Sequence, residues 1–196
     1  MIQHHTKKGK LFVFSAPSGS GKTTLLDYLI HEIPTIGFSI SATSRAPRGN
    51  ETDGKEYHFI SLEEFKRRVA NDEFLEWEEV YEGTCYGTLK SEVQRLQNKG
   101  VHVAFDVDVV GGSNIKKYYG DDALSIFIKA PSIEVLRQRL ISRGTDTMES
   151  IEKRIAKADW ETQFAEGKFD VTIVNDDLER AKQDIFRVVM DFIMKA

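Results

Sequence analysis

This chain has little cysteine, no paired metal-ligand histidines, no long apolar run and no excess of positive charge. Cys85 is its one cysteine in 196 residues, so no disulfide can close within the chain and a reducing compartment is expected. The five histidines, His4, His5, His31, His58 and His102, show no ligand spacing, which argues against a Cys/His metal centre. No apolar stretch approaches the length that spans a bilayer, and Met1 to Lys10 lacks the apolar segment of a secretory signal. A formal charge of −4 speaks against bulk nucleic-acid binding. These absences predict a cytoplasmic protein with no nucleic acid, membrane or obligate protein partner.

What is present supports a packed core and a phosphate ligand. Apolar residues make up 40% of the chain, and the length has room for one large domain or two small ones. The apolar run Leu11-Phe12-Val13-Phe14 is followed by Ala16, Pro17, Ser18, Gly19, Ser20, Gly21, Lys22 and Thr23, then by Thr24 and a helical pattern to Ile33. Strand, glycine-rich loop and helix N-terminus are the parts of a polyphosphate cradle. Gly19 and Gly21 let backbone N–H groups face the oxygens, Lys22 adds charge and Thr23 a hydroxyl for Mg²⁺. The strict pattern opens on glycine; the Ala16 methyl group is small enough for the turn. A Gly/Ser surface turn would not need these flanking elements.

Along the chain, Phe38-Ser39-Ile40-Ser41 reads as a second strand, and the polar stretch Thr43 to Lys55 carries Arg45 and Arg48. Tyr57 to Ile60 alternates like a strand. Ser61 and Glu64 form a capping box for a helix over Leu62 to Asn71, and Phe74 to Tyr81 returns to strand character. Thr88 to Asn98 is predicted as helix and Val101 to Asp108 as a strand ending in two carboxylates, Asp106 and Asp108. Acids at such a strand end hold Mg²⁺ or its waters in phosphate-loop proteins, with turn-initiating aspartates as the alternative. Leu124 to Ile128 is a buried-type strand, Ser132 caps a helix with Leu136 and Leu140 on one face, and Thr147 caps another carrying Lys153, Arg154 and Lys157. Arg137, Arg139 and Arg143 precede it; a solvated helix face is the bland account of this basic run, local charge for a polyphosphate the sharper one. Val171 to Val174 is the last strand, and Asn175-Asp176-Asp177 leads into the last helix. Continuous apolar strands between helices predict an α/β fold with a central, mainly five-stranded parallel sheet in three layers.

A GTPase would gain from Asp108-Val109-Val110-Gly111 but lacks an Asn-Lys-x-Asp guanine reader, and a motor or transport ATPase would need more chain. A second cationic site, at Arg45 and Arg48, favours a kinase of a small phosphorylated acceptor. From about Lys10 to Phe192 the sequence closely resembles the guanylate kinase family of phosphate-loop nucleoside monophosphate kinases. The resemblance rests on Ser41-Ala42-Thr43-Ser44-Arg45-Ala46-Pro47-Arg48, Asp53-Gly54-Lys55-Glu56-Tyr57-His58-Phe59, Glu73-Phe74-Leu75-Glu76-Trp77, Tyr86-Gly87-Thr88, Arg143-Gly144-Thr145 and Val174-Asn175-Asp176-Asp177-Leu178.

That resemblance implies a transferase of purine nucleotide metabolism, with Mg²⁺-assisted transfer from ATP to GMP or dGMP. It implies a single domain with a core (1–37, 89–136, 159–196), a small mixed α+β GMP-binding subdomain (38–88) and a helical lid (137–158). ATP would lie on residues 16–24 and Asn175, and GMP on Ser41, Arg45, Arg48, Tyr57, Glu76, Tyr86, Thr88 and Asp108. Lys22, Arg45, Arg139, Arg143 and Arg154 would be catalytic, with Thr23 and Asp106 near the metal, largely through water. A carboxylate such as Glu76 is acceptor-only and suits the adjacent N1–H and N2 amine of guanine. The sequence departs from the family at Val110, and the loop after Trp77 looks one residue longer. A non-catalytic peptide-binding relative of the same fold, or a kinase with another acceptor, are the competing readings.

Overall fold

The computed structural model describes residues 8–144 and 146–195. The expectations on His4, His5 and Thr145 lie outside the described residues.

Five strands form a wholly parallel sheet: β1 (Leu11–Ser15), β2 (Ile36–Phe38), β7 (His102–Asp106), β8 (Ala123–Lys129) and β9 (Val171–Val174), in the order β2-β7-β1-β8-β9. Strand β1 is central, with Leu11 opposite Val103 on one side and Ala123 on the other, and all five of its residues are buried. Its side chains feed two faces, as a period of two requires. Phe12 and Phe14 join Leu25 and Leu29 of α1 (Lys22–Glu32) and Ile185 and Val189 of α7 (Leu178–Met194). Leu11 and Val13 join Val93 and Leu96 of α3 (Lys90–Asn98) and Ile115 of α4 (Val109–Tyr119). Helices on both faces make the expected three-layer α/β core.

A second sheet of four strands has the order β4-β3-β6-β5: β3 (Ala42–Thr43), β4 (His58–Phe59), β5 (Phe74–Tyr81) and β6 (Thr84–Leu89). It has its own core, in which Phe65 of α2 (Leu62–Ala70) stacks on Phe74 at 4.4 Å, beside Ala42, Cys85 and Leu89. A third cluster, Leu136 and Leu140 against Ile151, Ile155 and Ala158, joins α5 (Ile133–Arg143) to α6 (Met148–Ala165). Gly144 ends α5 in the left-handed region at φ 65°. Among the described residues no helix is long and apolar enough to cross a membrane.

The expected strand over 38–41 does not form: only Phe38 belongs to a strand, and residues 39–41 link the two sheets. Phe38 ends β2 and Ala42 starts β3, while the Ser39 N–H still donates to Ala104 O at 2.9 Å, so the chain leaves one sheet for the other within three residues. Thr88 is likewise the penultimate residue of β6, not a helical residue, because it pairs across to Glu76. Asp108 lies beyond the end of β7 and caps α4, accepting the Gly111 N–H at 2.7 Å. Helix α4 has no counterpart in the predicted elements: Val109, Val110, Gly111 and Gly112 are poor helix formers, and packing overrides them. A Cβ on Gly112 would lie 2.6 Å from Ser15 Oγ, so glycine lets the helix press onto β1. At Ser61 only half of the capping box forms. Its hydroxyl accepts from Glu64 N, while the Glu64 carboxylate turns to Arg67 and Arg68.

Candidate active site

The loop between β1 and α1 is set by its glycines. Gly19 and Gly21 hold φ near 92° and 90°, a region that L side chains rarely adopt. At Gly21 there is a second reason: a Cβ there would stand 2.2 Å from the Asn175 amide nitrogen. That nitrogen donates to Ser20 O at 2.8 Å, and Asn175 is only 5% exposed. Asn175 therefore underpins the loop from the end of β9. Arg139 ties to the same place, donating from Nη2 to Asn175 O at 2.8 Å.

Above the loop lies a cleft of about 1050 Å³. Residues 16–19 and 21–24 line its floor, Asp106 and Asp108 one wall, and Arg139, Arg143, Arg154 and Lys157 the other. The parallel sheet brings the loop and the two acids together because β1 and β7 are neighbours, with Phe14 opposite Asp106. Lys22 Nζ donates to Asp106 Oδ1. Arg154 Nη1 donates to Ser18 Oγ at 2.7 Å and Nη2 pairs with Asp146 at 3.0 Å, so α6 already touches the loop. The buried Ser20 hydroxyl has no hydrogen-bond partner among the described residues.

Ser41, Arg45, Arg48, Tyr57, Glu76, Tyr86 and Thr88 belong to the second sheet and the chain joining its strands. Arg45 is held on three sides. Its Nε donates to Tyr86 Oη at 3.0 Å, its Nη1 and Nη2 grip Glu51 at 2.6 and 2.8 Å, and its guanidinium lies 5.0 Å from the Tyr57 ring centroid. Arg48 donates its backbone N–H to the same Glu51 at 2.8 Å. The Arg45 fork draws the Glu51 carboxyl down to about 2, with the Arg48 N–H adding to it.

Glu76 and Thr88 face each other across the β5–β6 pair, and the Thr88 hydroxyl donates to Glu76 Oε1 at 2.6 Å. Burial pushes the Glu76 carboxyl up; the Thr88 bond opposes this and the Asp108 charge adds to it. Gly111 lets α4 lie close to the Glu76 carboxylate, since a Cβ there would sit 3.1 Å from Glu76 Oε2 and 3.3 Å from Asp108 Oδ1. Asp108 thus stands where the two groups of residues meet. It lines the phosphate cleft and neighbours Glu76.

Sequence reasoning missed two carboxylates here. Glu51 sits in an irregular segment, where no periodicity links it to Arg45. Glu161 lines the cleft at 6% exposure, with burial raising its pKa against the pull of Lys157 and Lys22. Its signal was available: Arg154, Lys157 and Glu161 recur at helical spacing on one face of α6.

Known proteins with this arrangement are consistent with one another. The model of a family described as Guanylate kinase matches residues 8–192. A guanylate kinase of Bacteroides fragilis is 58% identical over 190 residues, covering 97% of this chain and 93% of that protein. That of Porphyromonas gingivalis is 54% identical over 187 residues, covering 95% and 99%. A crystal structure of guanylate kinase from Anaplasma phagocytophilum superposes with a TM-score of 0.71 at 31% identity, covering 97% of this chain and 89% of that one. The chain belongs to the guanylate kinase family.

Proposed function

We propose that the cleft over the phosphate loop takes ATP, that the second sheet takes GMP or dGMP, and that Asp108 marks where the transferring phosphoryl group passes between them. The family reaction is ATP-dependent phosphorylation of GMP to GDP. What chiefly supports this division is the pairing of a half-buried carboxylate, Glu76, with a clamped guanidinium, Arg45, around the small sheet, apart from Lys22 at the start of α1.

In this reading Glu76 accepts the guanine N1–H and N2 amine, with Ser41 and Thr88 completing the polar set. Adenine would turn its N1 acceptor on the same carboxylate and leave it unpaired. Arg45, Arg48, Tyr57 and Tyr86 hold the acceptor phosphate, for which a planar guanidinium is suited geometrically. The Gly19 and Gly21 region and Lys22 hold the donor phosphates, and the Ser20 hydroxyl adds a donor without a present partner. Asn175 acts through the loop it supports, its amide nitrogen being spent on Ser20 O. Arg139, Arg143 and Arg154 close over the transferred group, so α5 and α6 serve as the lid over residues 137–158.

Mg²⁺ fits this site as an ion carried by the nucleotide. Among the described residues no group of three His, Cys, Asp or Glu forms a cage, while Thr23 and Asp106 line the cleft beside the loop. When bound, Mg²⁺ neutralises charge on the donor phosphates. No general base is needed, because a phosphate monoester with a second pKa of about 6 is mostly ionised at neutral pH. Lys22 and the arginines align the groups and stabilise charge, and closure excludes water that would hydrolyse ATP. A reducing, cytoplasmic setting suits the buried, free Cys85.

An acceptor screen with coupled ADP release tests the reading. GMP and dGMP should turn over and AMP, CMP and UMP should not, while Lys22→Ala should cut kcat far more than GMP affinity. Binding of GMP without binding of ATP, read by calorimetry, would instead favour the non-catalytic, peptide-binding reading.

A further inference from the structure

The chain crosses between the two sheets twice. It leaves β2 at Phe38 to enter β3 at Ala42, and it returns from β6 at Leu89 directly into α3, whose Val93 and Leu96 pack on the central sheet. Glu92 stands in the first turn of α3 and is only 5% exposed. Arg95, three residues on, donates Nε to one carboxylate oxygen and Nη2 to the other, each at 2.8 Å. His58 of β4 brings Nε2 to 3.7 Å from Oε2. One buried side chain at the return crossing therefore meets the outer strand of the small sheet.

A buried carboxylate persists only where charge-assisted hydrogen bonds offset its lost hydration. Here those bonds come from Arg95 of the same helix, while the His58 contact reaches the part of the chain that carries acceptor-site residues: His58 follows Tyr57, and its backbone N–H donates to Ser41 O at 2.9 Å. The joint around them is not filled. A crevice of about 320 Å³, lined by Asp53, Ile60, Arg68 and Ser91 among others, opens beside Glu92, and the Glu92–His58 contact spans the joint there.

We propose that Glu92 is a positioning residue of the acceptor site, a pin that fixes Ser41 and Tyr57 relative to the central sheet, and hence the GMP site relative to the phosphate loop. The inference rests on the assignment of Ser41 and Tyr57 to GMP made above. Its mark is a defect specific to one substrate. Losing the pin should loosen the acceptor sheet while leaving the phosphate loop, which hangs on β1, α1 and Asn175, unchanged.

The test is steady-state kinetics and thermal melting of Glu92→Ala, Glu92→Gln, His58→Gln and the Glu92→Gln/His58→Gln double variant, beside Ser41→Ala. Glu92→Ala should raise the KM for GMP about tenfold, the scale of one lost charge-assisted bond, with the KM for ATP unchanged. Glu92→Gln, which retains one acceptor oxygen for Arg95, should fall between it and the parent. The effects of Glu92→Gln and His58→Gln should be less than additive, because they remove one shared contact. If Glu92→Ala does not fold, Glu92→Gln and His58→Gln, at a half-buried position, still decide the matter. An unchanged KM for GMP in the Glu92 variants, with Ser41→Ala raising it, overturns the pin alone. So does an equal rise for both substrates, which marks a purely structural role. Should Ser41→Ala leave GMP use intact, the acceptor-site assignment and the pin fall together.

Discussion

At the scale of single residues, two carboxylates of the second sheet are tuned in opposite directions by their surroundings. Glu51 is gripped by the Arg45 fork and held near 2, so the pair adds stability above the ordinary 4.5 and loses it only as pH falls toward 2. Glu76 is pushed above 4.5 by burial, so its ionised form is the costly one and relaxes by taking a proton as pH falls. Guanine donors favour the ionised form, so GMP binding should weaken on acidification at a higher pH than an ordinary glutamate would give. Glu76→Gln should raise the KM for GMP by about 10- to 100-fold, the worth of hydrogen bonds to a charged group, and leave the KM for ATP unchanged. It should also abolish the Glu76 limb of the pH profile while keeping the limb of the substrate phosphate near 6. A profile identical to the parent's would mean that Glu76 does not meet the base.

At the scale of elements, the loop between β1 and α1 was readable from its sequence because phosphate binding constrains neighbouring residues, and neighbours are what a sequence displays. Helix α4 was not, since Val109 to Gly112 resist helix formation and only the fit of Gly112 against Ser15 and of Gly111 against Glu76 recovers it. Two glycines with similar backbone angles separate local strain from packing. Gly144→Ala faces open space at φ 65° and should cost about 1 kcal/mol, a drop of about 2–4 °C in Tm. Gly21→Ala meets the same strain and also the Asn175 amide at 2.2 Å. It should cost about 2–4 kcal/mol and abolish ATP binding, read by calorimetry and melting. Equal losses would mean that Asn175 yields easily and does not brace the loop.

At the scale of the whole molecule, the fold brings the cleft over the phosphate loop and the Glu76 side of the small sheet together at Asp108. The large cleft is walled by α5 and α6, whose small core of Leu136, Leu140, Ile151 and Ile155 is separate from the main one. Hydrogen exchange should therefore respond in parts. GMP should slow exchange in residues 39–60 and 74–92, and a non-hydrolysable ATP analogue should slow it in residues 16–24 and 137–158. Either ligand at 100 times its Kd should add about 2.7 kcal/mol to stability. Protection by GMP confined to the phosphate loop would place the acceptor elsewhere.

The sequence by itself determined the three-layer α/β core, the helix caps at Ser61, Ser132 and Thr147, and the phosphate loop, because each depends on contacts within a few residues. Its resemblance to a known family supplied the reaction. Only the tertiary structure decided that residues 39–41 link two sheets, that Asn175 lies beneath the loop, that Glu51 holds Arg45, and that Glu92 of α3 meets His58 of β4. The physical reason is the same in each case. A hydrogen bond or ion pair between distant segments depends on where the sheets bring them, and nothing in the local order of residues encodes that distance.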